Sequence, residues 1–480
     1  MVNFKQQEKL VMKRKFDESG QEQLKKKHKR AGKNSSETDA NSECNTNTGH
    51  DLVQRGMAYR QEGQFKLALD DFNAALERNP HDDIALTHRG MTYILQGQLD
   101  LALSDLSAAL QVNVNNGFAL AHRGAIYGQQ KQYELALQDF NASLQIIPSA
   151  FAFARRAEVY RLQGLLGFAL QDFNAALRID PNNIYALAHR GVLYHIQGQL
   201  ELALQDFNAA LHFDSDNEYA LAHRGEFYRL QGKLELALQD FNAALHINSM
   251  DMFTLIRRGQ IYITQGHLRC ALQDFNTVLQ MKPDYGFALS LRGVVYFLLA
   301  HLGLALADYN AALQINSTDV FTLIKRGELY IKQERFDIAL KDFNAVLAKY
   351  PNNNVALMNR GEIYRLQGQY ELALKDFNRV EQLKPDNRAN LEFKKQLYVD
   401  QENDIEVVKY ECMLVEKIPY SHGNGTFPTL GALAKICFFK AVIKAEDQDN
   451  HLNNKEYQVV YANNNINKDT LESVRSILYP

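Results

Sequence analysis

The side chains here that could do chemistry recur along the chain instead of converging. His88, His122, His189 and His223 each stand immediately before an arginine. Imidazoles can bind metals or carry protons. Neighbouring copies are at least 34 residues apart, however, and the ligands of one ion must all come within about 2 Å of it. No shared metal site is expected. Cys44, Cys270, Cys412 and Cys437 form no C-x-x-C pair, and their spacing suits neither a zinc site nor a disulfide framework. Reduced thiols in an intracellular compartment are the expectation. Gly423-Asn424-Gly425 lacks the strand–turn–helix setting of a phosphate loop and reads as a plain turn. Motifs of the H-E-x-x-H, G-x-S-x-G or Walker type do not occur. The chain is therefore not expected to be an enzyme or to hold a cofactor, and a small catalytic domain near the C-terminus has no motif behind it.

The histidines recur because whole segments do. Arg-Gly stands at Arg55-Gly56, Arg89-Gly90, Arg123-Gly124, Arg190-Gly191, Arg224-Gly225, Arg258-Gly259, Arg292-Gly293, Arg326-Gly327 and Arg360-Gly361, with Arg156-Ala157 as one variant. The step is 34 residues, apart from one of 33 into Arg156. Tyr follows three after the Gly (Tyr59, Tyr194, Tyr364), Ala twelve after it (Ala68, Ala203, Ala373), and an aromatic or Leu four later (Phe72, Leu106, Tyr309). Six of the nine prolines, among them Pro80, Pro181 and Pro385, share one column near the repeat end.

This spacing predicts two helices per copy. Leu187, Gly191 and Tyr194 lie on one face of the first. Gln197-Gly198-Gln199 stops it, and Leu200, Ala203, Leu204 and Phe207 make the apolar stripe of the second. Small residues at Gly191 and Ala203 let the two helices approach closely, and the proline column ends the pair. One pair cannot bury both its faces, so the copies must stack. Arg before the Gly and Asp sixteen later (Arg55 and Asp71, Arg190 and Asp206) predict a ladder of planar ion pairs between the helices.

At these residues the sequence resembles the tetratricopeptide repeat (TPR) family, over ten copies and residues 49–387. Leu stands where the family often has Trp. The resemblance implies an all-α fold: a right-handed α-solenoid of antiparallel helix pairs, wound into a superhelix, with a small mixed C-terminal segment after it. It also implies a scaffold whose first helices line a concave groove for an extended peptide. The groove residues would be His88, His122, Arg155, Glu158, Arg161, His189, His223, Glu226, Arg229, Arg257, Lys325, Glu328, Asn359, Glu362 and Arg365. Glu158–Arg161, Glu226–Arg229 and Glu362–Arg365 also read as i,i+3 surface pairs of about 0.3 kcal/mol each. Reversing the charge of Arg155, Arg161 and Arg229 is therefore expected to leave stability within about 1 kcal/mol. Members of the family that clamp a chaperone's carboxylate use asparagines, of which only Asn359 is present. Glu328 would repel the ligand, so no such binding is expected.

The ends differ. Residues 1–48 are polar, and disorder is expected. Lys13-Arg14-Lys15 and the cluster Lys25, Lys26, Lys27, Lys29 and Arg30 look like a bipartite signal for a nuclear import receptor, which places the chain in the nucleus, with the cytoplasm as the alternative. Leu391 and Tyr398 continue the columns into a polar capping helix over 388–402. Residues 403–480 leave the pattern: Ile405 to Tyr420 suits strand or helix, and a buried helix is expected from Pro428 to about Ala445. There Leu433, Cys437 and Ala441 resemble the elongin-contacting pattern of suppressor-of-cytokine-signalling boxes. That gives the alternative of a substrate receptor for a ubiquitin ligase. No nucleic-acid partner is expected, since residues 51–387 carry 31 Lys/Arg against 36 Asp/Glu and lack the basic stripe such a surface needs. No membrane partner is expected either, the longest apolar run being too short to span a bilayer.

Overall fold

A computed structural model describes residues 48–403 and, beyond them, residues 406, 407, 410, 413 and 414. Among the described residues twenty-one complete helices follow one another, and there is no strand. The fold is an all-α solenoid of antiparallel helix pairs. Odd-numbered helices are the first of each pair and even-numbered the second: α1 Gly49–Gln61, α2 Phe65–Arg78, α3 Asp83–Gln96, α4 Leu99–Val112, α5 Gly117–Gln129, α6 Tyr133–Ile146, α7 Ala150–Leu162, α8 Leu166–Ile179, α9 Ile184–Ile196, α10 Leu200–Phe213, α11 Glu218–Leu230 and α12 Leu234–Ile247. The series runs on through α13 Met252–Thr264, α14 Leu268–Met281, α15 Gly286–Leu298, α16 Leu302–Ile315, α17 Val320–Lys332, α18 Phe336–Lys349, α19 Asn354–Leu366, α20 Tyr370–Leu383 and α21 Arg388–Asp400. The chain forms two compact units, one ending at Ile261 and the other beginning at Tyr262.

Each pair is punctuated by local chemistry. An Asn, Asp or Ser at the N-cap accepts from the backbone N–H groups of the first turn, as Asn183 does from Ala186 and Asp82 from Ala85, which satisfies donors the helix itself cannot. The turn inside a pair needs a residue at positive φ. Gly198 supplies it at +74°; Lys131, Ala300 and Glu334 adopt the same conformation without glycine's freedom. Second helices stop two residues before the proline column. Asp180, ahead of Pro181, is extended at φ −133° and ψ 91°, which the proline ring accommodates; Asn113, with Val114 after it, has nearly the same angles.

The core lies between the two helices of each pair. Phe207 is wholly buried under Gly191, where an added Cβ would meet its ring at 2.8 Å and the Ala203 carbonyl oxygen at 3.3 Å. Second helices also pack on the first helix of the next repeat, and first helices touch the first helices of neighbouring repeats, as α7 does α9 and α9 does α11. First helices therefore form one side of each unit and second helices the other.

The expected polar ladder is present. Arg190 donates from Nε and Nη2 to both oxygens of Asp206, at 2.7 and 2.8 Å, and the same fork joins Arg55–Asp71, Arg89–Asp105, Arg123–Asp139, Arg156–Asp172, Arg224–Asp240, Arg292–Asp308, Arg326–Asp342 and Arg360–Asp376. Sequence reasoning missed its third member. The remaining Nη1 of Arg190 reaches back 2.7 Å to Asn174 of the preceding repeat, and Arg224 does the same to Asn208. In the recurring Asp-Phe-Asn, the Asp binds its own repeat's Arg, the Phe fills the core, and the Asn ties the next repeat on.

At the far end α21 caps the stack, but Lys394 is not on a solvated face. It occupies the Arg column, is 3% exposed, and donates to Asn378 and Glu381. Residues 406, 407, 410, 413 and 414 are helical, and Tyr410 and Leu414 pack on Leu391. Tyr410 stands in the Asp column of an eleventh, degenerate pair, with the Lys394 ammonium 5.0 Å from its ring centroid. The tail, the import-like clusters and the remainder of residues 403–480, including Leu433 and Cys437, lie outside the described residues.

Candidate functional site

Within the unit ending at Ile261, the first-helix side of repeats three to seven carries a continuous row of rings. His122 packs on Phe151 with centroids 4.6 Å apart. The Arg155 guanidinium lies 5.4 Å from the Phe151 centroid and 4.0 Å from that of Tyr185. Tyr185 meets His189 at 3.9 Å, His189 meets Tyr219 at 4.2 Å, Tyr219 meets His223 at 4.2 Å, and His223 meets Phe253 at 5.0 Å. The Arg257 guanidinium ends the row, 5.3 Å from the Phe253 centroid. Phe151, Tyr185, Tyr219 and Phe253 sit one turn before the predicted Arg155, His189, His223 and Arg257, so the two sets project from the same helix face and interleave. The recurrence of an aromatic at that column was visible in the sequence. Its meaning was not, because the contacts run between repeats.

Beside the rings lie the acidic members of the set. Arg161 forks onto Glu158 at 2.7 Å through both nitrogens, and His189 Nδ1 is 3.1 Å from the same carboxylate. Arg229 forks onto Glu226, whose other neighbour is Arg257 at 3.4 Å. These i,i+3 pairs form as expected, but they are not surface pairs. Glu226 is 8% exposed, because the first helix of the following repeat covers it and contributes a further cation. Burial by itself would raise the Glu158 carboxyl; His189 and the Arg161 fork outweigh it and hold the group below the usual carboxylate range. Burial pushes His122 and His223 down to about 3 and His88 to about 4, so these imidazoles are neutral aromatic surfaces at neutral pH. Burial also lowers His189, against the pull of Glu158, and raises Tyr185 to about 12.

The other predicted residues are placed separately. His88 faces Arg60 at 3.5 Å and stacks on Phe72. In the second unit Lys325 pairs with Glu328 at 2.9 Å, and Arg365 binds Glu362 and Asp400. The Asn359 amide donates to the Val355 carbonyl of its own helix. Among the described residues there is no cluster of His, Cys, Asp and Glu able to hold a metal, and no helix long and apolar enough to cross a membrane.

Four models, each described as a tetratricopeptide repeat, match residues 52–82, 119–149, 173–205 and 324–388. The chain belongs to the tetratricopeptide-repeat family. Solved structures similar to it include a TPR protein from Parabacteroides merdae, 22% identical, with 52% of this chain and 98% of that one aligned at a TM-score of 0.41. Human IFIT1, solved as a dimer with m7Gppp-AAAA, is 18% identical over 70% of this chain and 90% of its own, at 0.44. YrrB, described as a TPR protein with an unusual peptide-binding site, is 23% identical over 38% of this chain and 95% of its own, at 0.30. No curated protein sequence matches the chain. The TPR array marks it as an interaction scaffold, on a fold that is typically non-catalytic.

Proposed function

We propose that this TPR protein binds an extended peptide segment of a partner along the first-helix side. The observation that carries this reading is the row of rings from His122 to Phe253, in which half-buried Phe151, Tyr185, Tyr219 and Phe253 alternate with more deeply set histidines and guanidinium groups. Flat apolar faces next to fixed charges suit a peptide that alternates apolar and polar side chains and gains affinity by length. With the imidazoles neutral, the rings themselves offer apolar contact, and charge enters the row at the guanidinium groups. A random dodecapeptide library displayed on phage, captured on the full chain, tests this. Recovered peptides are expected to bind at least tenfold more weakly to a Phe253→Ser, Arg257→Gln variant of unchanged helicity. Equal affinity for both proteins refutes the reading.

The same proposal extends to place. The basic clusters at Lys13-Arg14 and Lys25-Lys26-Lys27 with Lys29-Arg30 are spaced as an import receptor would read them, which supports work in the nucleus. A fluorescent reporter carrying residues 1–48 is expected to concentrate in nuclei and to lose that on replacing Lys25, Lys26 and Lys27 by alanine. A reporter that stays in the cytoplasm in both forms removes the idea.

A further inference from the structure

The turn ends of repeats four, five and six expose large apolar side chains together. Leu162, Ile196 and Leu230 close the first helices α7, α9 and α11, and Phe168, Leu202 and Leu236 stand in the first turn of the second helices α8, α10 and α12. All six are between 43 and 59% exposed, and Leu165 and Leu200 add to them at the turns. The three ends lie side by side, because α7 packs on α9 and α9 on α11. This exposure is not a requirement of the fold. At the column of Ile196, repeats one, three, seven and nine carry Gln61, Gln129, Thr264 and Lys332. Half-exposed as they are, the eight side chains present on the order of 700 Å² of apolar surface, more than the largest patch of a typical monomer. Charge is sparse there. Residues 162–168, 196–202 and 230–236 include Glu201, Lys233 and Glu235 and no other charged side chain.

We propose that this edge is a dimer interface and that its occupant is a second copy of this chain, docked through the same three repeats. The inference is independent of the peptide-binding reading above. Area selects the copy. A stable interface takes about 800 Å² from each partner; the patch supplies nearly that from one side, and a copy supplies the same from the other. Its ridges are also self-complementary. Leu or Ile at the end of one helix and Leu or Phe at the start of the next recur once per repeat, so the row reads alike in both directions. A two-fold axis through repeat five sets repeat four against repeat six of the second copy, and repeat five against itself. Repeat four brings no charge to meet Lys233 and Glu235. The one approach of like charges is that of Glu201 to its counterpart, and Glu201 is exposed, so solvent and salt screen it. Burial of the apolar rows then drives the association.

Sedimentation equilibrium of the full chain at micromolar concentration tests this. The expected mass is twice the chain's 54.7 kDa. Leu162→Gln, Ile196→Gln and Leu230→Gln together place at each column the residue type that Gln61 and Gln129 already fill in this scaffold. That triple variant is expected to keep its helicity and to dissociate, with Kd raised at least a hundredfold. A second measurement does not depend on its folding. In a full chain whose four native cysteines are replaced by serine, Gln199→Cys lies beside the axis and is expected to give a disulfide-linked dimer on oxidation by copper–phenanthroline. The same substitution at Gln64, which holds this column in repeat one, is expected to give none. A native chain that sediments as a monomer overturns the proposal. A dimer that the triple variant leaves intact overturns it as well, as does equal cross-linking of Gln64→Cys and Gln199→Cys.

Discussion

At the scale of the residue, the forked Arg–Asp pairs are where charge is most committed. Asp206 is 4% exposed, so deleting Arg190 leaves a carboxylate without its partner in a poorly solvated place. Arg190→Met is expected to cost about 3 kcal/mol, whereas Arg190→Met with Asp206→Leu costs less than that single change; urea unfolding of the three proteins measures the difference. Burial also revises what a groove substitution does. Arg161→Glu sets a second carboxylate against Glu158, which Arg161 forks onto, so this reversal is expected to cost stability and not to act as a surface change. The neutral histidines give a pH dependence of known sign. With folded values of about 3 for His122 and His223 against 6.5 for an ordinary imidazole, the unfolded chain binds the extra protons. Stability contributed by the neutral rings is complete well above pH ~6.5 and declines as pH falls towards the folded values, by up to about 1.4 kcal/mol per pH unit for each ring. His122→Phe with His223→Phe should flatten the loss in unfolding free energy between pH 7 and pH 5. An unchanged slope would show that these rings are not buried neutral. The recurring His were legible in the sequence as a repeat column. That they act as aromatic surfaces was not, because the rings that cover them come from the next copy.

At the scale of the element, a pair of helices is defined twice over. Gly, Ala and Phe columns set how closely the two helices approach, and the Arg–Asp fork fixes their register. Both were legible because each is internal to one repeat and recurs in sequence at fixed spacing. What joins one pair to the next was harder to read. The Asn after each core aromatic looks like a solvated residue until the fold sets it against the Arg of the following repeat, sixteen residues on. Repeat two carries Ser107 at this column, so the tie is not compulsory for stacking, and its contribution is that of a charge-assisted hydrogen bond, about 1.5 kcal/mol. Asn208→Ala should lower the unfolding midpoint by that increment, and it should act on the coupling between repeats five and six. Faster amide exchange confined to those two repeats is the expected signature; a uniform change across the unit would contradict it. The degenerate eleventh pair shows the same logic at an end. Lys394 keeps the inward tie to Asn378, while Tyr410 replaces the Asp of its own pair and sets its ring against the Lys394 ammonium.

At the scale of the whole molecule, stability accumulates from repeats and their interfaces, and binding accumulates along the row of rings. Both properties follow from the interchangeability of copies, which gives them a common test. Deleting residues 184–217 removes all of repeat five and joins Asn183, an N-cap, to Glu218, a first helical residue. Asn174 then stands before Arg224 as it stood before Arg190, and α8 receives α11 through the same columns it offered α9. Folding should survive: the shortened chain is expected to be helical and to unfold cooperatively, with a lower midpoint because one repeat and one interface are gone. Deleting only residues 184–200 removes half a period, sets the apolar stripe of α10 where a first helix should pack, and should abolish cooperative unfolding. The row, by contrast, is shortened by the in-phase deletion. Tyr185 and His189 leave with repeat five, Tyr219 and His223 take their columns, and one step of rings is gone. Peptides recovered on the full chain should therefore bind the folded, shortened protein at least tenfold more weakly. Circular dichroism with urea titration reads the first property and anisotropy the second. A shortened protein that folds and still binds at full strength would show that the peptide does not lie across repeats four to six. One that fails to fold, like the half-period deletion, would show that the copies are not interchangeable and that the stack depends on differences between them.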